Sequence, residues 1–203
     1  MEQSMKVSRR AELNKGFLIV LEDGTEFTVS EELYFTRYLY EKEEFNRDEV
    51  EKLVFQDRVI EAEILCKKKL AAGLKPRSRL LAYLDENGFD ADISNEALDN
   101  LERDGYLDDL KFATKILKRK MISSPMSKYA MEQWLLVNGL NPQTARTAID
   151  KADLDDLVTA RKIAERKFKG RKEPMKIATY LASRGFEKDI IAEVTNMEEP
   201  WNT

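Results

Sequence analysis

The sequence contains no histidine and only one cysteine, Cys66. Histidine is the usual proton carrier at neutral pH and the commonest transition-metal ligand, so the chain lacks the side chain that most often fills either role. A single cysteine excludes an intrachain disulfide. Without a histidine to act as its base, Cys66 is better interpreted as a buried apolar side chain than as a nucleophile. No glycine-rich phosphate loop is present either. We therefore predict a protein that is not an enzyme and that holds no cofactor and no metal.

The sequence also lacks a long apolar run and an N-terminal hydrophobic segment of the kind that directs secretion. A membrane span needs about 18 consecutive apolar residues, so we expect a cytoplasmic protein without a membrane partner. Charged residues make up 35% of the chain, yet the formal net charge is only −4. Charge can therefore indicate a partner only where acidic and basic residues are separated locally.

An internal repeat is the main positive feature of the sequence. An aromatic-Leu pair precedes a glycine three times, as Tyr83-Leu84 before Gly88, Trp134-Leu135 before Gly139 and Tyr180-Leu181 before Gly185. A Leu-Asp-Asp-Leu block at 107–110 returns unchanged at 154–157. Repeats of this length build arrays in which each unit buries its apolar face against its neighbours, so the repeat predicts an extended docking surface.

The residues that start and end helices within one repeat predict three helices. Pro76 suits the start of a helix and Gly88 suits its end, because glycine adopts positive φ without a Cβ clash. Further helices are predicted over about 92–103 and 108–120. In the third repeat Glu173 stands before Pro174, and glutamate is a poor N-cap. The predicted segments are 1–58, 59–122, 123–172 and 173–198, the last a truncated repeat.

The first segment has a different pattern. Phe17–Leu21, a turn at Gly24 and Thr25–Val29 predict a small β-hairpin. Ser30 and Asn46 are predicted N-caps, and the second of them opens a helix over about Arg47–Phe55. The predicted fold is therefore mostly α, with tandem three-helix repeats after an N-terminal β-hairpin.

The third helix of each repeat ends in basic residues, which are the candidate partner-binding residues. In register, these tails would form a basic stripe that contacts phosphates or an acidic protein groove. A solvated face that complements the helix dipoles explains them equally well. An arginine pair at the start of the first repeat could likewise clamp an acidic partner or serve only solubility. The candidates are Lys67, Lys68, Lys69, Arg77, Arg79, Lys115, Lys118, Arg119, Lys120, Arg161, Lys162, Arg166, Lys167, Lys169, Arg171 and Lys172.

Two other recurring features have structural interpretations. The repeated aromatic residues Tyr83, Trp134 and Tyr180 could stack on a base, but their helical spacing with leucine favours packing in the core. The paired aspartates at 108–109 and 155–156 resemble a metal site only superficially, because adjacent side chains on a helix diverge. We predict that they cap helices.

The order of these motifs resembles the RecX family of regulatory proteins. The resemblance is carried by Pro76-Arg77-Ser78 before the leucine-rich helix, by Gly-Tyr-Leu-Asp-Asp at 105–109 followed by Phe112-Ala113, and by 180–186 in the last repeat. It covers about 59–194, and the preceding part resembles an N-terminal extension that some members carry.

The resemblance implies an elongated, curved monomer that lies in the groove of the RecA recombinase filament on DNA. Members of the family block filament extension, promote disassembly and lower the ATPase, strand-exchange and repressor-cleavage activities of RecA, the last being part of the SOS response. They are not enzymes. Two other hypotheses remain at this point: a DNA-binding protein that competes with RecA for single-stranded DNA, and a helical adaptor for an unrelated partner. The acidic net charge suggests that any direct affinity for DNA is weak or confined to the basic tails.

Overall fold

The N-terminal part of the chain forms a small antiparallel sheet. The computed structural model describes residues 4–169 and 173–197. The strands are β1 (Met5–Leu13), β2 (Gly16–Leu21), β3 (Glu26–Val29) and β4 (Glu44–Phe45). Their order in the sheet is β3-β2-β1-β4. The predicted hairpin is confirmed as β2 and β3, joined by a turn in which Gly24 has a φ of +88°. The hairpin is thus one part of a larger sheet.

Strand β1 was not predicted, because its sequence is polar. It carries Lys6, Ser8, Arg9 and Arg10, and none of its side chains is fully buried. Met5 and Val7 at its start pack against the core, but the polar residues that follow leave no sustained apolar alternation, so the rest of the strand depends on its backbone ladder to β2. The short strand β4 pairs with the beginning of β1.

Helices account for most of the rest of the chain. In the described residues they are α1 (Glu31–Thr36), α2 (Arg47–Ala71), α3 (Arg77–Glu86), α4 (Ala91–Arg103), α5 (Asp109–Ser123), α6 (Lys128–Val137), α7 (Pro142–Lys151), α8 (Asp156–Phe168), α9 (Pro174–Ser183) and α10 (Lys188–Thr195). The prediction of a mostly helical fold with tandem three-helix repeats and a small N-terminal β element is confirmed.

The predicted caps of the early helices are present. The Ser30 hydroxyl accepts a hydrogen bond from the Leu33 N–H, and Asn46 forms a reciprocal capping box with Glu49. Helix α2 is much longer than the predicted Arg47–Phe55 segment, because neither glycine nor proline interrupts it before its end. Its later buried residues, Val59, Ala62 and Cys66, lie at helical spacing on one face.

The described residues divide into two compact units. The first contains the chain up to Gly73 together with Leu80–Tyr106, and the second contains Leu74–Arg79 together with the chain from Leu107 onward. In the first unit, an apolar core joins Ile19 and Leu21 of β2 to Leu33 of α1, Phe45 of β4 and Val50 of α2.

The second unit contains two apolar clusters, each built by three helices. One joins α5, α6 and α7 around Leu117, Met131 and Leu135, and the other joins α8, α9 and α10 around Leu181 and Ile191. In both, a longer helix packs with the two shorter helices that follow it in the chain. The division of the sequence into segments at 59, 123 and 173 remains a prediction, because a cluster can begin with the last helix of one segment.

Two glycines that follow short helices lie against the start of an earlier short helix. A Cβ on Gly185, at the end of α9, would lie 2.9 Å from the Ser127 Oγ and 2.9 Å from the Ala130 Cβ at the start of α6. The Ser127 N–H also donates to the Arg184 carbonyl oxygen at 3.1 Å. Gly139, at the end of α6, is similarly close to Ser78. The glycines therefore permit close approach as well as ending the helices.

Candidate partner-binding surface

A lysine lies over the repeated aromatic ring in each of the three repeats. The lysine Nζ is 4.1 Å from the ring centroid for Lys69 and Tyr83, 5.0 Å for Lys120 and Trp134, and 4.2 Å for Lys167 and Tyr180. Each lysine comes from the C-terminal part of a long helix, and each ring comes from the short helix that follows it. A cation on an aromatic face contributes about 0.5–1 kcal/mol at a partly exposed site. The basic tails therefore have an intramolecular function as well as a predicted partner-binding one.

The repeated aromatic residues are packing residues, as predicted. Trp134 is partly buried against the cluster of α5, α6 and α7, and Tyr180 is partly buried against that of α8, α9 and α10. Tyr83 is also partly buried. Since a lysine of the same chain covers one face of each ring, these faces are not open platforms for a nucleic-acid base.

Two further predicted partner-binding residues have ionic partners in the chain. The Lys67 Nζ lies 3.4 Å from Glu63 and 5.1 Å from the centroid of the Tyr106 ring. The Arg161 guanidinium lies 2.6 Å from Glu193, and both side chains are 54% exposed. Exposed pairs of this kind contribute little to stability, so Arg161 can exchange Glu193 for another carboxylate at small cost.

A groove in the second unit brings three predicted basic residues next to exposed apolar ones. It has a volume of about 580 Å³ and lies between the C-terminal part of α5 and helix α8. We call it the α5–α8 groove and define it by Met121, Ile122, Pro125, Met126, Met131, Leu154, Thr159, Lys162, Ile163, Arg166, Lys167 and Tyr180.

The α5–α8 groove has an apolar side and a basic side. Ile122 is 80% exposed, and Met121 and Met126 are partly exposed and line the groove with it. Lys162 and Arg166 are exposed, and among the described residues neither has an ion-pair partner. The groove can therefore take a ligand that combines an apolar anchor with negative charge.

A second, shallower depression of the same unit contains Lys115 and Lys118. They line it together with Leu74, Lys111 and Thr114, and with Asp108 and Leu110. Three lysines in one depression give it a positive potential, although Asp108 offsets part of that charge. The depression is less suited than the α5–α8 groove to hold an apolar anchor.

The remaining predicted residues lie in several places. Lys68, Arg79, Arg119 and Lys169 are exposed, and the Arg77 backbone N–H donates to an Asp109 carboxylate oxygen at 2.8 Å. The last two candidates, Arg171 and Lys172, lie outside the described residues. The assignment of all sixteen residues to partner binding remains a prediction.

The paired aspartates cap helices, as predicted, and each pair serves two helices. Asp108 and Asp155 accept hydrogen bonds from N–H groups in the first turns of their own helices, at 2.7 and 2.9 Å. Asp109 and Asp156 instead accept from the first N–H of an earlier short helix, which belongs to Arg77 of α3 and Lys128 of α6, each at 2.8 Å. The second aspartate of each pair thus links its own helix to the start of an earlier helix in the same predicted repeat, which the sequence pattern did not predict.

Two replacements of Asp156 distinguish the contribution of its hydrogen bond to stability from that of its charge. We expect Asp156→Ala to lower the free energy of unfolding by about 1–2 kcal/mol, because the Lys128 N–H loses its acceptor. Asp156→Asn retains an oxygen that can accept this bond, so its effect should be smaller. Urea denaturation at neutral pH measures both variants. Equal losses would contradict the assignment of the effect to the hydrogen bond.

The same aspartate gives a pH dependence. Burial raises the pKa of both Asp109 and Asp156 above the ordinary 3.8, and the N–H donors lower it by less. A raised pKa in the folded state adds stability at low pH, and this contribution is lost as the pH rises through the raised pKa. The wild-type chain should therefore gain stability relative to Asp156→Asn as the pH is lowered from about 7 toward 4. A constant difference would contradict this sign.

Cys66 is a buried core residue, as predicted. It is fully buried in α2, and burial raises the pKa of its thiol to about 11. The thiol is therefore protonated at neutral pH and unsuited to nucleophilic chemistry. Within residues 4–169 and 173–197 no cluster of three or more potential metal-ligating side chains occurs. None of the described helices is both long and apolar enough to cross a bilayer.

The sequence did not identify the apolar side of the α5–α8 groove. Ile122, Met121 and Met126 follow the basic end of α5, where their pattern is typical of a helix that is ending rather than of a binding site. The only signal in the sequence was Ile122, a large aliphatic residue outside the apolar stripe of its helix. Such a residue indicates a binding surface only when its side chain is known to be exposed.

The chain is similar to proteins named "Regulatory protein RecX". The relative from Clostridium botulinum (strain Eklund 17B / Type B) is 24% identical over 185 residues, covering 87% of this chain and 86% of the relative. The relative from Mycobacterium leprae (strain Br4923) is 28% identical over 153 residues, covering 70% of this chain and 88% of the relative. No family model matches the sequence.

A solved structure supports the fold. A crystal structure of a regulatory protein RecX has a TM-score of 0.68 to this chain at 16% identity, and the match covers 96% of this chain and 100% of that one. At this level of identity the likeness shows a shared fold. It spans the N-terminal sheet as well as the helical repeats.

Proposed function

Because the chain belongs to the RecX family of regulatory proteins, we propose that it regulates recombination and DNA repair by binding the RecA filament on DNA. Bound there as a monomer in the cytoplasm, it lowers the ATPase, strand-exchange and repressor-cleavage activities of RecA. The protein acts by occupying a surface and not by turning over a substrate.

The observation that carries this proposal is the α5–α8 groove. Exposed Ile122 lies in the same groove as Lys162 and Arg166, so an apolar anchor site and two cations face a ligand together. A protein surface that offers an apolar side chain beside carboxylates would match both sides of the groove. A nucleic-acid backbone would match only the cations.

Charge and apolar contact have different roles in such a complex. The cations of the groove increase the rate of encounter with an acidic partner and set its orientation, and salt weakens this contribution. Burial of Ile122 and the two methionines opposes dissociation, because the free energy of an interface is concentrated in a few buried side chains. Lys115 and Lys118 add positive potential in the second depression of the same unit.

The test is a titration of the protein into RecA filaments assembled on single-stranded DNA, with ATP hydrolysis followed over time. We expect ATP hydrolysis to fall in proportion to the occupied filament, and filament length in electron micrographs to decrease. Unchanged turnover and unchanged length at saturating protein would refute the proposal.

Competition with free single-stranded DNA distinguishes binding to the filament from binding to DNA alone. If the protein acted by occupying DNA, a large excess of free single-stranded DNA would abolish inhibition. Binding would also appear without RecA, with a salt slope of about 0.7 for each phosphate contact. We expect inhibition to persist with DNA in excess. Its loss would favour the competing DNA-binding function.

A further inference from the structure

An exposed group of aromatic rings lies in the first unit, and none of its residues is among those assigned above to partner binding. We call Phe35, Tyr38 and Tyr40 the aromatic patch; they are 50%, 62% and 42% exposed. The Tyr40 ring centroid lies 6.0 Å from that of Phe35 and 6.0 Å from that of Tyr38, so the three rings adjoin each other.

Two inner rings hold the aromatic patch in place. Buried Tyr34 stacks on Phe17 with centroids 3.8 Å apart, and Phe35 meets both rings edge to face at 5.4 and 5.6 Å. Aromatic pairs with these geometries contribute about 0.5–1.5 kcal/mol each beyond the burial of area. The outer rings are thus attached to the sheet and to α1 by a rigid base, and a rigid apolar surface loses little entropy on binding.

Tyr38 has a backbone conformation that favours glycine. Its φ is +52°, and it follows the end of α1 at the position where helices commonly place glycine. The Leu39 N–H donates to the Tyr34 carbonyl at 2.9 Å and the Tyr38 N–H to the Phe35 carbonyl at 3.2 Å, which is the bonding pattern of that terminus. A tyrosine there is strained by about 1 kcal/mol relative to glycine. Its 62% exposed ring recovers little of this by packing, so the ring is retained at a cost in stability.

Three glutamates lie beside the aromatic patch. Glu31 and Glu32 precede Phe35 by four and three residues on α1, which places them beside it on the helix surface. Desolvation, followed by the charge of Glu41, raises the pKa of Tyr40, so that carboxylate is also close. Arg37 is the only basic residue from Glu31 to Glu41, while the nearby Arg10 guanidinium donates to the Leu39 and Lys42 carbonyl oxygens and Lys42 pairs with Glu49.

The aromatic patch also differs from the repeated aromatic residues of the helices. Each of those has a lysine of the same chain over its face. Among the described residues, no lysine or arginine lies over the rings of Phe35, Tyr38 or Tyr40. The rings therefore present free faces, which attract cations, next to carboxylates, which attract them too.

We propose that the aromatic patch is a second docking surface, and that its occupant is a protein segment with an apolar anchor flanked by lysines or arginines. The anchor packs on the rings of Tyr38 and Tyr40, and the flanking cations pair with Glu31, Glu32 and Glu41 or lie on the ring faces. A nucleic acid fits less well, because its phosphates would meet these glutamates. The charge preference is opposite to that of the α5–α8 groove, so the inference stands independently of the proposed function.

The test uses the full chain labelled for NMR and a synthetic peptide with one tryptophan flanked by lysines on both sides. We expect its chemical-shift changes to concentrate at residues 31–41. A matched peptide with glutamates in place of the lysines should bind at least tenfold more weakly. If the acidic peptide bound equally well, or if oligothymidylate produced the same shifts more strongly, the proposal would be overturned.

The variant Tyr38→Gly removes the ring while favouring the fold. We expect it to unfold at the same or a higher temperature than the wild type, because glycine relieves the strain, and to bind the basic peptide at least tenfold more weakly. Tyr38→Asn, which also tolerates positive φ, gives a second measurement. Tyr129→Ala removes a 66% exposed tyrosine of α6 and should leave peptide binding unchanged. Unchanged affinity in both Tyr38 variants would overturn the proposal.

Discussion

The Gly185→Ala variant is expected to lose about 2–5 kcal/mol of unfolding free energy, whereas Gly88→Ala should lose only about 1–2 kcal/mol. The two glycines have almost the same φ, +80° and +78°, so the backbone strain of alanine is matched between them. They differ in their surroundings. A Cβ on Gly88 meets nothing within 4 Å, but a Cβ on Gly185 meets the start of α6.

The contact at Gly185 cannot be relieved by a simple rotation. The Ala130 Cβ is fixed to the backbone of α6, and the Ser127 hydroxyl is buried and accepts a hydrogen bond from the Ala130 N–H at 3.1 Å. Movement of either group would disturb the N-cap of α6 or separate α6 from α9. The second contribution is therefore an overpacking term of about 1–3 kcal/mol, which Gly88→Ala lacks.

Urea denaturation of the two variants measures the difference directly. The difference in unfolding free energy between the wild-type chain and Gly88→Ala gives the cost of backbone strain alone. Equal losses in both variants would mean that α6 and α9 can separate freely, and that the close approach at Gly185 contributes nothing to stability.

The double variant Lys162→Glu/Arg166→Glu is expected to bind RecA filaments about 100-fold more weakly, which corresponds to about 2.7 kcal/mol. Reversal of both charges places two carboxylates beside the apolar side of the α5–α8 groove, where we propose that an acidic partner surface docks. Like charges brought together at an interface cost several kcal/mol, so the effect should exceed that of replacement by alanine.

A control with the same change in net charge identifies the groove as the cause. Lys151→Glu/Lys188→Glu alters two exposed lysines of the same unit that lie outside the groove. It should weaken binding by less than about fivefold, through the long-range field alone. Biolayer interferometry on immobilised filaments measures both variants. Equal weakening in the two would show that net charge matters and that the groove does not.

Ile122→Ser completes this comparison, because it removes the anchor and leaves the cations. With the side chain 80% exposed, the variant should keep the stability of the wild type while its complex dissociates faster. A loss of association rate without a change in dissociation would contradict the division of roles between charge and apolar contact.

The features that were predicted correctly depend on a few neighbouring residues. Gly88, Gly139 and Gly185 end helices because of their own backbone freedom, and Asn46 and Asp108 cap helices through bonds that span three residues. Such local effects can be recognised in a sequence. Strand β1 could not, because its polar sequence forms a strand only when β2 provides the ladder.

The features that were missed depend on residues far apart in the chain. Asp109 and Arg77 are 32 residues apart, and nothing in their spacing shows that one caps the helix of the other. The basic tails were correctly recognised as recurrent. The sequence cannot distinguish a lysine that covers an aromatic ring from a lysine that faces solvent. Only the structure separates Lys167, which lies over Tyr180, from its neighbour Arg166.

The lysines over Tyr83, Trp134 and Tyr180 have a consequence for the response of the protein to ionic strength. An attraction between an ammonium and a ring at 4–5 Å is short-ranged, whereas the attraction of an exposed cation for a distant carboxylate is screened within about 8 Å at physiological salt. The salt concentration that releases the protein from an acidic partner should therefore be well below the concentration that separates the helices from each other. A lysine such as Lys167 would then hold two helices together, while Lys162 on the same helix binds a partner reversibly.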